Sequence, residues 1–328
     1  MNLPKDYILV TGANGFIGSH LVDALIQNNE QVVAIDKHKT PQINLETSSN
    51  NPNLRYLSCD IGKDISLLET IIRKCKYIYH LGAIVGVQNY LKNPFDMFES
   101  NILGSYNLIK FAYANKIPIL FASTSEIYGK NPNLPWNENA DRVLGNTTKD
   151  RWSYSTGKAL IEHLLISLGR NSNFNFKIVR FFNVYGPRQN PIFVVPRAIN
   201  KALKNLPIEI FDGGNQTRSF IYISDTIRAI LEIQRQKSNK KVYNIGNDVE
   251  ISVKDLYSKM KTFFPDMVIK EITTSESHGI GYEDLMRRVP DISRLLNDTN
   301  WKPEISLESG LHNTIDWAKK NRWWIDLN

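Results

Sequence analysis

Tyr154 and Lys158 lie four residues apart in the stretch RWSYSTGK, residues 151–158. On a helix that spacing puts both side chains on one face, one turn apart. An ammonium beside a phenol stabilises the phenolate, so Lys158 is expected to lower the pKa of Tyr154. A phenolate so formed can take the proton of a substrate hydroxyl while the carbon bearing it gives up a hydride. A second stretch, STSEIYG at 123–129, carries Ser123, Thr124, Ser125 and Glu126 in a row. Any of its three hydroxyls can hydrogen-bond the same substrate oxygen, and Glu126 adds a carboxylate. A tyrosine and lysine at this spacing occur by chance in many helices. The pair means chemistry only where a hydride acceptor binds.

That acceptor has its own pattern. TGANGFIGSHL (11–21) holds Gly12, Gly15 and Gly18. Gly12 lets the chain turn out of a strand, Gly15 lets the backbone approach a pyrophosphate, and Gly18 lets a helix pack close to the sheet. Phe16 and Ile17 fall in the first turn of that helix, where free N–H groups and the positive dipole end face phosphate. Asp36 ends the next strand, 18 residues past Gly18. Its carboxylate can bond both ribose hydroxyls and would repel a 2′-phosphate, which favours NAD over NADP, although Lys37, His38 and Lys39 follow it directly. Asp60 and Ile61, in CDI, close a third strand where a carboxylate can hold the adenine amino group. Leu81, Gly82 and Ala83, in HLGA, close a fourth with small residues that leave room for the cofactor. Ser123 is placed with this cofactor set, as are Tyr154 and Lys158.

The elements that must position these groups alternate. YILVTG (7–12), QVVAID (31–36), RYLSCD (55–60), YIYHLGA (77–83), IPILFAS (117–123) and KIVRFFNVYG (177–186) read as strands. Helical spacing covers residues 15–28, about 94–115 and about 153–169. Strands alternating with helices predict an α/β fold, a Rossmann-type doubly wound parallel sheet. Past Pro187 the elements shorten, with DGGN at 212–215 as a turn and RSFIYI (218–223) as a strand. This predicts an NAD-binding domain over 1–186, with returning segments from about 219–250. A smaller α/β substrate-binding domain takes most of 187–328.

Composition excludes several classes. No apolar run reaches the ~20 residues that span a bilayer. The net charge is +7, but Lys and Arg are scattered and no basic run is interleaved with aromatics, so no nucleic acid is expected. Cys59 and Cys75 match no metal or redox spacing, and no metal site is predicted. The opening residues lack the pattern of a signal peptide, and a cytoplasmic enzyme is expected.

The motifs TGANGFIGSHL, HLGA, STSEIYG, YSTGK, RFFNVYGPRQ and QTRSFIYISD resemble those of the extended short-chain dehydrogenase/reductase superfamily, in its nucleotide-sugar epimerases, dehydratases and decarboxylases. The resemblance covers nearly the whole chain. It implies NAD as cofactor, a UDP-linked sugar as substrate, oxidation at sugar C4, and a homodimer joined through the helices near 94–115 and 153–169. Phe95, Phe98, Ile102 and Ile109 make a stripe on the first of these that could face a partner or the core. By the same resemblance Asn183 and Arg218 would hold the diphosphate and sugar, and Phe211, in PIEIFDGG, would stack on the base; Arg197 is placed with these substrate-binding residues, although its stretch FVVPR carries no clear uronate-binding arginine. The triplet Thr124-Ser125-Glu126 is similar to that of UDP-glucuronate decarboxylases. So are KDRWSYSTGK and GYEDLMRRVPDISR, which put Arg288 where a uronate-handling arginine stands. Arg288 would act on the carboxylate or hold the diphosphate. A 4-epimerase, a 4,6-dehydratase and a non-catalytic NAD-binding protein are the competing readings. Ser125 counts against the dehydratase, Glu126 against the plainest epimerases, and the intact Tyr154–Lys158 pair against a protein without activity.

Overall fold

A computed structural model describes residues 3–86, 93–238, 241–273 and 285–327. The first four residues of GYEDLMRRVPDISR lie outside the described residues. Strands β1 (Tyr7–Thr11), β2 (Val32–Asp36), β3 (Leu54–Ser58), β4 (Cys75–His80), β5 (Ile119–Thr124) and β6 (Phe176–Phe181) come first. The remainder are β7 (Val184–Tyr185), β8 (Ile208–Phe211), β9 (Thr217–Ser219), β10 (Ile221–Tyr222), β11 (Val242–Ile245), β12 (Glu250–Ser252), β13 (Ile269–Ile272) and β14 (Arg287–Arg288). Two compact units share the chain. Unit 1 takes Met1–Ile127, Ser153–Arg180 and Ile233–Tyr243, and unit 2 takes Tyr128–Trp152, Phe181–Glu232 and Asn244–Asn328.

The main sheet has seven strands in the order β11-β6-β5-β4-β1-β2-β3. The pairings of β1 with β2 and β4, of β2 with β3 and of β4 with β5 are all parallel. Its central strands are apolar along their length because both faces are covered. Tyr7, Leu9, Val33, Ile35, Ile78, Phe121 and Ile178 pack on Leu68, Ile71, Leu108, Ile109, Ile161 and Leu165 from the flanking helices. Strand order reverses about β1, whose neighbours are β4 and β2. In such sheets the carboxyl ends at the reversal form the ligand crevice.

Unit 2 holds small sheets, β10-β7, β12-β9-β14 and β13-β8. Its aromatic cluster joins Tyr128, Trp136, Trp152 and Phe182 to Leu285.

Three elements differ from the sequence expectation. Residues 94–115 are not one α-helix. An α-turn Pro94–Met97 runs into a π-helical stretch Phe98–Gly104 and then a helix Ser105–Ala114. Within the wide turns Asn101 is buried and clamps Ile84, accepting from its N–H at 2.7 Å and donating to its carbonyl at 2.9 Å. The expected strand 177–186 breaks at Asn183, whose φ is +28°. The expected strand 218–223 splits at Phe220, because β9 pairs with β12 and β14 while β10 pairs with β7.

Candidate active site

β1 delivers the chain into the glycine turn. A Cβ on Gly12, whose φ is +67°, would lie 2.6 Å from Gly82 Cα. One on Gly18 would lie 2.2 Å from the Gly12 carbonyl oxygen. Neither position admits a side chain, so the turns after β1 and β4 close on each other at the point where strand order reverses. The helix Phe16–Gln27 starts directly behind Gly15, with Phe16 and Ile17 in its first turn. Asp36 Oδ2 accepts from the Asn14 N–H at 3.1 Å, and Oδ1 faces His38 Nδ1 at 2.9 Å. Asn14 also reaches Tyr56 and the backbone of Gln42, which ties the glycine turn to the loop after β2. Asp60 Oδ1 accepts from the Gly62 N–H at 2.9 Å, shaping the turn that holds buried Ile61.

Behind the turn runs a buried relay. The Gly82 N–H donates to Thr11 Oγ1 (2.9 Å), and Thr11 Oγ1 lies 2.8 Å from His80 Nδ1. His80 Nε2 lies 2.9 Å from Ser105 Oγ, which donates to the Asn101 carbonyl at 2.6 Å. These bonds are all satisfied by a neutral imidazole with its proton on Nε2. Burial, helped by the Lys158 charge, lowers the His80 pKa to about 3, so it stays neutral. The relay locks Leu81-Gly82-Ala83 to the π-helical stretch. Sequence reading missed His80 and Asn101; an isolated polar residue at a strand end gives no local signal.

The catalytic stretch folds as expected and behaves differently. The helix Arg151–Ser172 carries Tyr154 and Lys158 on one face, and β5 ends at Thr124 beside it. Lys158 Nζ donates to the Ala122 carbonyl at 2.8 Å. It lies 4.7 Å from the Phe121 ring centroid and 5.9 Å from that of Tyr154. Thr124 Oγ1 accepts from the Glu126 N–H, and Ser155 Oγ donates to the Glu126 carbonyl at 2.6 Å, docking the Ser125–Tyr128 turn on the helix. Ser125 is buried in that turn. The expected drop in the Tyr154 pKa is overturned for the protein alone. Burial, and then the Glu126 charge, push it above the ordinary phenol value. Desolvation outweighs the ammonium, which is itself pushed by burial down to about 7, with Glu162 opposing.

These residues fit a dinucleotide. At Gly12 and Gly18 the neighbouring backbone excludes any side chain, which keeps the turn ahead of the helix N-terminus tight, as a pyrophosphate site requires. Ser123 Oγ is buried and makes no hydrogen bond within the described residues, as suits a hydroxyl left for a cofactor.

In unit 2, β14 pairs with β9 in the register Arg288 opposite Arg218. Two residues 70 apart in sequence thus stand side by side. Arg218 is buried and bonds the Thr217 carbonyl at 2.7 Å, while Arg287 is held by Glu250 at 2.7 Å. The Arg197 guanidinium lies 5.4 Å from the Phe211 ring centroid, a cation–π contact that covers one ring face. Asn183, in the break between β6 and β7, donates from Nδ2 to the Ser219 carbonyl at the end of β9, at 3.0 Å.

A family model described as the NAD dependent epimerase/dehydratase family matches residues 8–246. The chain is 32% identical to the UDP-N-acetyl-alpha-D-glucosaminuronate decarboxylase of Bacillus cytotoxicus over 323 residues, 96% of this chain and 98% of that one. It is also 32% identical to the bifunctional polymyxin resistance protein ArnA of Wigglesworthia glossinidia brevipalpis, covering 98% of this chain and 52%, about half, of that protein. The crystal structure of UDP-glucuronic acid 4-epimerase from Bacillus cereus, with UDP-glucuronic acid and NAD, superposes with a TM-score of 0.85 at 29% identity. That match covers 96% of this chain and 99% of the other. The chain belongs to the NAD dependent epimerase/dehydratase family and is an NAD-dependent enzyme of nucleotide-sugar chemistry.

Proposed function

We propose that this enzyme oxidises C4 of a UDP-linked hexuronate and decarboxylates it at C6. Arg288 in register beside Arg218 is the observation that carries the reading. A nucleoside diphosphate is matched by one or two cations; an additional arginine alongside them suits a substrate with one more carboxylate. The similarity to a UDP-N-acetylglucosaminuronate decarboxylase over nearly the full length of both chains supports the same chemistry.

Bound NAD⁺ supplies the hydride acceptor. Tyr154 Oη takes the C4 hydroxyl proton, and the Lys158 ammonium stabilises the phenolate. Thr124 and Ser125 hold the C4 oxygen. Oxidation makes C4 a ketone β to the C6 carboxylate, so the C5–C6 electrons pass into the carbonyl as CO₂ departs. Arg288 orients the carboxylate, and Glu126 holds sugar hydroxyls. Arg197 and Arg218 take the diphosphate, and Phe211 takes the base.

A UDP-uronate 4-epimerase is the second reading, favoured by the likeness to the Bacillus cereus enzyme. Incubation with UDP-glucuronate or UDP-N-acetylglucosaminuronate and NAD⁺, followed by mass spectrometry, separates the two. Loss of CO₂ supports decarboxylation, and an unchanged mass with inverted C4 replaces it by epimerisation.

The exposed side chains of Phe95, Phe98, Leu103 and Tyr106 support a homodimer through the helices of the 94–114 and 151–172 segments. Sedimentation tests this: a monomer at micromolar concentration refutes it.

A further inference from the structure

Tyr154, Lys158 and Glu162 follow one another at intervals of four on the helix Arg151–Ser172, so all three share a face. Glu162 is 4% exposed and Arg180, on β6, is 7% exposed. Arg180 grips the carboxylate with both arms, Nε to Oε1 at 3.0 Å and Nη2 to Oε2 at 2.6 Å. Buried ion pairs are poor devices for stability, since apolar residues of similar volume usually do as well. The surroundings offer Lys158 little else. Among the described residues its contacts are a carbonyl and two aromatic rings, none with a full negative charge. Of the titratable groups facing it, His80 on β4 is held neutral, and Tyr154 is its reaction partner. Glu126, on the turn after β5, acts on Tyr154. Glu162 is the anion that acts on Lys158.

We propose that Glu162, gripped on both carboxylate oxygens and oriented by Arg180, is a positioning residue that keeps Lys158 an ammonium through the redox steps. Both residues are buried and act through Lys158. Their action is electrostatic: when Tyr154 is a phenolate, charges alternate along the face as minus, plus, minus, and end in the plus of Arg180. The inference rests on the C4 oxidation of the proposed function and not on decarboxylation.

The test reads Lys158 itself, so it does not depend on the sugar. The full chain is labelled with ¹³Cε-lysine, the Lys158 signal is assigned by its loss in Lys158→Met, and its titration is followed with and without NAD⁺. In Glu162→Gln the midpoint should fall by about one pH unit, and in Glu162→Asp it should stay near the wild-type value. The double variant Glu162→Met/Arg180→Met removes the unpaired buried cation and guards against a fold defect. It should unfold like the wild type yet keep the lowered midpoint. With any UDP-sugar that is turned over, the ratio of wild-type to Glu162→Gln activity should rise with pH to about tenfold on the basic limb. An unmoved midpoint in folded Glu162→Gln, or a wild-type midpoint in the double variant, overturns the proposal. A wild type that binds NAD⁺ and shows the shift but turns over no uronate refutes the substrate reading alone.

Discussion

Replacing Lys158 with methionine should make the cofactor-free protein more stable while removing its chemistry. The Lys158 pKa is held at about 7 against an ordinary 10.5. At about 1.4 kcal/mol per unit, the buried charge costs up to about 5 kcal/mol at pH 6. Methionine fills similar space but leaves the Ala122 carbonyl without its donor, which takes back about 1–3 kcal/mol. The net gain should be about 2–4 kcal/mol at pH 6. Below pH 7 the lysine is charged folded and unfolded, and the full cost is present. Between about pH 7 and 10.5 the unfolded chain keeps the proton and the folded one does not, so the wild type gains stability as pH rises. The variant has no such group, and its advantage should shrink across that window and then reverse. Urea unfolding of both proteins without NAD⁺ at pH 6, 7, 8, 9 and 10 measures this. A difference independent of pH, or a variant less stable at pH 6, would refute the argument.

Three further outcomes follow from the site. Gly18→Ala sets a Cβ 2.2 Å from the Gly12 carbonyl, so NAD⁺ titration should show affinity down by at least about tenfold, with a lowered unfolding temperature. Tyr154→Phe should cut turnover by about 10²–10⁴-fold, while the same titration shows NAD⁺ still bound. Arg288→Gln should slow CO₂ release by about 10–100-fold while C4 oxidation, read as NADH absorbance, persists. If Arg288 serves the diphosphate, KM should rise for every UDP-sugar alike.

The fold was legible where periodicity is local. Apolar runs bounded by glycine turns marked β1 to β6, and the steric needs of Gly12 and Gly18 are those the motif implies. The π-helical stretch was not legible, because Phe95, Phe98, Ile102 and Ile109 satisfy a 3.6-residue period whether or not one turn is widened. The break at Asn183 lay hidden because KIVRFFNVYG reads as one long strand. Arg218 and Arg288 were each singled out, but their adjacency depends on a pairing across 70 residues that no local pattern encodes. The direction of the Tyr154 shift was missed because neighbouring charges can be counted in a sequence, whereas burial cannot. Glu162 stood in plain view, one turn beyond Lys158; only the closure of Arg180 on its carboxylate gave it a role.

Decarboxylation has a signature that epimerisation lacks: carbon 5 must collect a proton from solvent when CO₂ leaves. The most direct measurement is turnover of UDP-glucuronate and of UDP-N-acetylglucosaminuronate with NAD⁺ in D₂O, read by NMR. A decarboxylase yields a UDP-pentose or its 4-keto form with C6 gone and deuterium at C5. A six-carbon product with its carboxylate intact and no deuterium at C5 would contradict decarboxylation.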